Sequence, residues 1–267
     1  MLASSSASAA DPVGCGYGTG GPYAPNLCWF DMSGYSDAQA RSGTGQQMSI
    51  TLPGGYVVKF TLTSRAVPGA TWRGVESRAA PLETRFAFGV SGYVGIAKKP
   101  VLYSQGGTGP NGVELKLSDI SVLDAGVQPV TGYSLVVADA ENNVVGENLS
   151  WTSDKPLSLL GVLNEKSAVG CHNGLSGLGT MSVTCTGQGG EPGLPNPRYD
   201  AVIVGADTPS SIALSMKTFA RSGVAFAIMT SKVQLTKNVV GRVRTTARPS
   251  PAGGWQSWQR APSAPSG

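Results

Sequence analysis

Few side chains in this sequence are equipped for chemistry, so their spacing decides more than their number. His172 is the only histidine among 267 residues, which removes most catalytic triads and most zinc sites. No Gly-x-Ser-x-Gly, His-Glu-x-x-His or phosphate-loop pattern occurs. The glycine-rich GCGYGTGG lies among Tyr and Pro and does not join a strand to a helix, so it is weak as a nucleotide site. Carboxylates gather twice: Asp139 and Glu141, with Asn142 and Asn143, follow one apolar run, and Asp200 and Asp207 flank another. Turns rich in such oxygens can coordinate calcium, although no EF-hand spacing is present and ordinary solvated turns share this composition. A glycoside hydrolase could use Asp139, Glu141 or Asp207, but no aromatic-lined pattern accompanies them. Trp29 and Trp151 lie in or beside strand-like segments and fit core packing, whereas the neighbours of Trp72 suggest a loop and a sugar platform. The ligand-contact candidates are therefore Trp72, Asp139, Glu141, Asn142 and Asn143. No catalytic residue, metal-ligand set or cofactor is assigned, calcium being the one ion left open.

Four cysteines fall as two local pairs, Cys15 with Cys28 and Cys171 with Cys185. Four allow three pairings. The local pairing closes two loops of similar size, each contributing about 3 kcal/mol by restricting the unfolded chain, and it suits an exported protein. The alternative is four unpaired, partly buried thiols. Zinc finds no Cys-x-x-Cys spacing, and His172 beside Cys171 has no ligand geometry around it.

The framework that must position these residues is made of strands. Charged residues are 13% of the chain, while 37 Gly and 18 Pro interrupt it, which disfavours a helical bundle. In QMSITLPGGYVVKFTLTSR, Met48, Ile50 and Leu52 alternate with polar neighbours. Pro53-Gly54-Gly55 then breaks the chain, and Val58, Phe60 and Leu62 alternate again, predicting a hairpin or tight corner. Residues 64–112 are rich in Gly, Pro and Arg and hold only short apolar stretches, at Phe86 to Val90 and Val101 to Tyr103, which predicts long surface loops. From Val113 the segments VELKLSDISVLD, TGYSLVVADA, NLSWTS, TMSVTC, RYDAVIVGAD, SIALSM and GVAFAIMTSKVQL supply further strands. Regular structure is expected from about Leu27. Roughly ten to twelve short strands joined by Gly/Pro turns make an all-β antiparallel β-sandwich of jelly-roll or lectin-like type. It would occupy residues 11–235 as one domain.

The formal net charge of +4 is carried by Arg242, Arg244, Arg248 and Arg260 of the last segment, so the rest of the chain is neutral. A neutral body has no electrostatic footprint for nucleic acid. No run approaches the roughly 18 apolar residues that span a bilayer, so no membrane insertion is expected. Residues 1–10, MLASSSASAA, read like the cleavage region of a secretory signal without its basic and apolar parts, and are expected to be its remnant. Residues 244–267 contain no acidic residue and no periodicity, which predicts a disordered basic tail. Its Arg/Pro/Ala/Ser/Gly/Trp mixture is what GC-rich DNA gives in a shifted frame.

The segments LCWFDMSGYSDAQA, MSITLPGGYVVKFTL, PVTGYSLVVADAE, LSWTSDKPLSLLGVLN and AVIVGADTPSSIAL resemble actinobacterial surface proteins related to the CshA/CshB fibrillar adhesins, in their non-repetitive lectin-like domain. The resemblance covers about residues 15 to 235. It implies a secreted adhesion domain at the start of a large cell-wall protein, followed by a stalk of repeated β domains and an anchor. Residues 236–243 are similar to the first strand of such a stalk repeat, with Lys237 where an isopeptide lysine often sits. The context of Cys28 in LCWF also resembles the cysteine of thioester domains in Gram-positive adhesins, although no glutamine-bearing motif follows.

Together these observations predict a secreted or cell-surface adhesion module. It would be non-catalytic, a monomer or part of a longer surface chain, and would bind an extracellular matrix glycoprotein or a glycan. The loops between residues 64 and 112 and the Asp139 to Asn143 turn would make the contacts. The alternatives are a secreted carbohydrate-active hydrolase and a purely structural spacer of a fibril.

Overall fold

Whether an apolar run is buried on one side or on both decides which layer of this molecule it joins. The computed structural model describes residues 14–19, 26–79, 95–105, 111–140, 147–163, 174–187, 201–218 and 221–229, all within one compact unit, Met1–Leu235. The strands in chain order are β1 (Cys15–Tyr17), β2 (Leu27–Phe30), β3 (Gln46–Thr51), β4 (Val57–Ala66), β5 (Val75–Arg78), β6 (Val101–Ser104), β7 (Asn111–Leu123) and β8 (Ser134–Asp139). They continue as β9 (Asn148–Ser153), β10 (Leu157–Leu163), β11 (Leu175–Ser176), β12 (Ser182–Thr186), β13 (Ala201–Asp207), β14 (Ile212–Thr218) and β15 (Gly223–Met229). A short helix, α1 (Asp37–Ala40), is capped by the Ser36 hydroxyl.

Two antiparallel sheets form a sandwich. The first, sheet A, runs β1-β2-β15-β8-β13-β10, with β6 pairing a second stretch of β15 and β5 pairing β6. The second, sheet B, runs β11-β12-β9-β14-β7-β4-β3. Alternate residues of both sheets meet between them. Phe30 of sheet A and Phe60 of sheet B stack across the interface with ring centroids 5.8 Å apart, and Trp151 and Phe226 are fully buried beside them. Each such large side chain contributes about 1.5–3 kcal/mol by leaving water.

The sheets differ on their other faces. Sheet B follows the period-2 rule, with Val58, Phe60 and Leu62 inside and Lys59 and Thr63 outside. In sheet A the outward residues are buried too: Leu27, Trp29, Val136, Ala138, Ile203, Ala225 and Ala227 form a second apolar cluster. Ile96 packs on that cluster from outside the sheet.

The expected all-β antiparallel sandwich is what the chain forms, and the predicted 48–62 hairpin is β3 and β4, turned through Gly54 and Gly55 at φ 80° and 78°. At such positive φ an L side chain would be strained. The 64–112 segment departs from the expectation of loops. β4 extends to Ala66, and β5 and β6 are strands of sheet A, with all four β6 residues buried. Val101 to Tyr103 is too short to show a period, yet it fills the place beside Gly223 to Ala225 of β15. Regular structure also starts at Cys15 rather than Leu27, because the Cys15–Cys28 disulfide, with Cα atoms 5.4 Å apart, ties β1 to β2. That bond overturns the thioester comparison, since the Cys28 sulfur is committed. Cys185 is likewise disulfide-bonded; its expected partner Cys171 lies outside the described residues, as do residues 1–10, 236–243 with Lys237, 244–267, and Phe86 to Val90.

Two carboxylates pin corners. Burial pushes the Asp31 carboxyl up, but the Ser33 hydroxyl and N–H and the Lys99 N–H donate to it and hold it below the usual carboxylate range. Asp154, just past β9, accepts from the Ser211 N–H and the Ser210 hydroxyl and N–H. These bonds outweigh its partial burial, so it too is lowered.

Candidate functional site

Strand register brings two of the sequence candidates, Trp72 and Asp139, to one end of the sandwich. There β4 ends, β7 and β9 begin, and β8, β12 and β14 finish. Trp72 lies between β4 and β5, next to Thr71, which bridges to Asn111 at the start of β7. Its ring is half-buried against the core, and the Arg41 guanidinium sits 4.7 Å from its centroid. One face of the proposed sugar platform is therefore occupied by a cation, held there by a cation–π contact. Close by, Tyr35 donates to Asp37 at 2.9 Å, and burial holds its phenol above the ordinary range.

Asp139, the last residue of β8, is 1% exposed and points with Leu135 and Val137 into the sandwich. A ligand cannot reach it directly in this conformation. Glu147, which precedes β9, is also buried and accepts from the Thr218 hydroxyl at 2.5 Å. Glu141, Asn142 and Asn143, and Asp200 as well, lie outside the described residues. Asp207 is exposed but sits opposite Ser134, at the other end of β8 from Asp139. That separation is roughly 17 Å along the strand, and the two side chains leave sheet A on opposite faces. The pair does not meet at the roughly 5–9.5 Å that glycosidase carboxylates require. Among the described residues no three His, Cys, Asp or Glu side chains converge.

A site that the sequence candidates did not include lies on the open face of sheet B at the same end. Cross-strand register places Thr184, Ser150 and Ser215 in one row over β12, β9 and β14, and Thr186, Asn148 and Lys217 in the next. Rows of this kind are about 4.8 Å apart between strands and about 6.7 Å apart along them. They form the floor of a groove of about 330 Å³. Its wall is Val67, which begins a turn closed by Ala70 N–H donating to the Val67 carbonyl. The turn can fold down because residue 112 beneath it is glycine: a Cβ there would stand 2.5 Å from the Ala70 Cβ and 3.0 Å from that of Val67. Val67 N–H donates to the Gly112 carbonyl and fixes the approach.

Besides Val67 and parts of Leu149, Cys185 and Met216, the groove is lined by hydroxyls, an amide and one ammonium. Thr186 donates to the Asn148 side chain at 3.2 Å, and Ser215 donates to Glu114 at 3.0 Å. The Ser150 hydroxyl and the exposed Lys217 ammonium have no protein partner among the described residues. Sequence reasoning passed over these residues because single Ser, Thr and Lys at alternate strand positions look like any solvated face. The available signal was that the outward positions of NLSWTS, SVTCT and ALSMKT hold no Asp or Glu.

By architecture the protein belongs to the antiparallel β-sandwich domains, with the central strands of one sheet largely buried on both faces and the other sheet open to solvent on one. Residues 25–229 match the family model of surface adhesin CshA non-repetitive domain 2, and the chain belongs to that family of surface adhesin domains. No curated protein and no solved structure matches it. Among the described residues no helix is long and apolar enough to cross a membrane.

Proposed function

We propose that this chain is the non-catalytic adhesion module of an actinobacterial fibrillar surface protein, exported and displayed at the cell wall, which binds an extracellular glycoprotein or glycan. The match to a surface adhesin domain over residues 25–229 supports this most strongly. The fold is consistent with it: the doubly buried central strands of sheet A give rigidity, and the end with Trp72 and the groove leaves a surface for contact. The module works as a monomer or as a segment of a longer surface chain. It needs no cofactor, and calcium is the ion to test, because the connection that includes Glu141, Asn142 and Asn143 is rich in oxygen donors.

The test is saturable binding of the purified chain to panels of matrix glycoproteins and glycans, with and without calcium. Binding weakened by substitutions at Trp72, Asn142 or the groove supports the proposal. Absence of saturable binding to every member, or binding untouched by all of these substitutions, overturns it.

A further inference from the structure

The groove on sheet B also has a chemical preference. Its floor presents hydroxyls and an amide at the spacing of adjacent strands, a pattern suited to sugar hydroxyls, which both donate and accept. Among the described residues it contains no carboxylate, and its one charged group is Lys217, exposed and without an ion pair. The nearest acid, Glu114, takes the Ser215 hydroxyl and stands directly opposite Arg65 in the register of β4 and β7. Across the open face as a whole, Lys59, Arg65, Lys116 and Lys217 face two carboxylates, Glu114 and Asp119, among the described residues. Among the described residues the face carries no aromatic side chain, so they offer hydrogen bonds and charge rather than stacking. Its volume is at the small end of ligand sites.

We infer that this groove binds one carboxylated sugar residue of a surface glycan. The ring lies over the Thr184, Ser150 and Ser215 row, and the carboxylate sits on the Lys217 ammonium. Val67 closes one side, and Gly112 is what lets it do so. The inference rests on the adhesion function proposed above and names the ligand chemistry of one part of that surface.

The experiment is calorimetric titration of the full chain with matched pairs of probes, sialyl-lactose against lactose and trigalacturonate against a neutral galactose trimer. Lys217→Gln and Gly112→Val are titrated in parallel. The expected result is tighter binding of the acidic member of at least one pair, weakened by added salt. Lys217→Gln should cost that member about tenfold or more and leave the neutral one unchanged, since a charge-assisted bond is lost. Gly112→Val should weaken both by displacing Val67. Because Lys217 is exposed, its variant should melt with the parent protein, which separates loss of binding from loss of fold. Should Gly112→Val fail to fold, Lys217→Gln decides alone. Equal binding of acidic and neutral probes, an unchanged Lys217→Gln, or equally tight capture of duplex DNA would overturn the inference. If matrix proteins or neutral glycans bind elsewhere on the chain, the groove assignment fails and adhesion stands. If nothing binds, both fail.

Discussion

Sheet A and sheet B solve the same packing problem with opposite sequence patterns. The central strands of sheet A, SLVVAD, AVIVGAD and GVAFAIM, are near-continuous apolar runs because both of their faces are covered. Those of sheet B, such as NLSWTS and SVTCT, alternate between a core position and a hydroxyl. A strand covered on both faces has no position to spare for a ligand. A strand covered on one face can change every second residue without disturbing the core. Sheet A is therefore the scaffold, and sheet B, with the sandwich end beside it, is where recognition can reside.

The sharpest way to break this comparison is to put the same charge on the second face of each sheet. Val136→Asp would bury an unpaired carboxylate in the second cluster and should cost more than about 4 kcal/mol, enough to abolish cooperative folding. Thr152→Asp on exposed β9 should cost about 1 kcal/mol or less. Urea unfolding of the two variants measures both, and similar losses would refute the division into scaffold and open face.

Next in size is the bond that anchors the edge of sheet A. Cys15→Ala opens the Cys15–Cys28 loop and should lower stability by about 3 kcal/mol, read from urea unfolding with midpoint and slope fitted for each variant. A shift near zero would mean that the tether between β1 and β2 adds nothing to the stability of the sheet.

Two features of the molecule were legible in the sequence, and three were hidden for physical reasons. The alternation of Met48 to Leu52 and of Val58 to Leu62 located the β3–β4 hairpin, since a half-buried strand writes its period into its residues. The resemblance of the longer segments to an adhesin domain agreed with the family match. The β5 and β6 strands were invisible because four residues between glycine-rich segments carry no period, and their strand character comes from pairing, β6 with β15 and β5 with β6. Asp139 resembled a turn carboxylate because it is followed by acidic and amide residues, whereas the register of β8 turns it inward. The groove escaped notice for a related reason: its rows are assembled from β9, β12 and β14, and only pairing sets Ser150 beside Thr184 and Ser215.

A smaller effect concerns acid. The folded-state carboxyl groups of Asp31 and Asp154 are lowered, so the stability they contribute is present above the ordinary carboxylate value of about 3.9. It is lost as pH falls through their lower folded values. Asp154→Asn should therefore reduce stability at neutral pH by less than the disulfide loss and flatten the fall on the acid side of the ordinary carboxylate value. Thermal melting across that range reads both effects, and an unchanged acid limb would show that the Ser210 and Ser211 contacts do not hold the corner. Smallest of all, Arg41→Ala should cost about 0.5–1 kcal/mol through the lost contact on Trp72. It should also uncover that ring face, which tryptophan fluorescence quenching would report.

The most direct test of adhesion without transformation is to hold the full chain with a saturating bound glycan or matrix glycoprotein for many hours, release the ligand, and weigh it by mass spectrometry. A non-catalytic module returns the ligand at its starting mass, with the bound fraction unchanged over time. Shortened or otherwise altered ligand, accumulating with time and abolished by Asp207→Asn, would contradict the account and make the protein an enzyme.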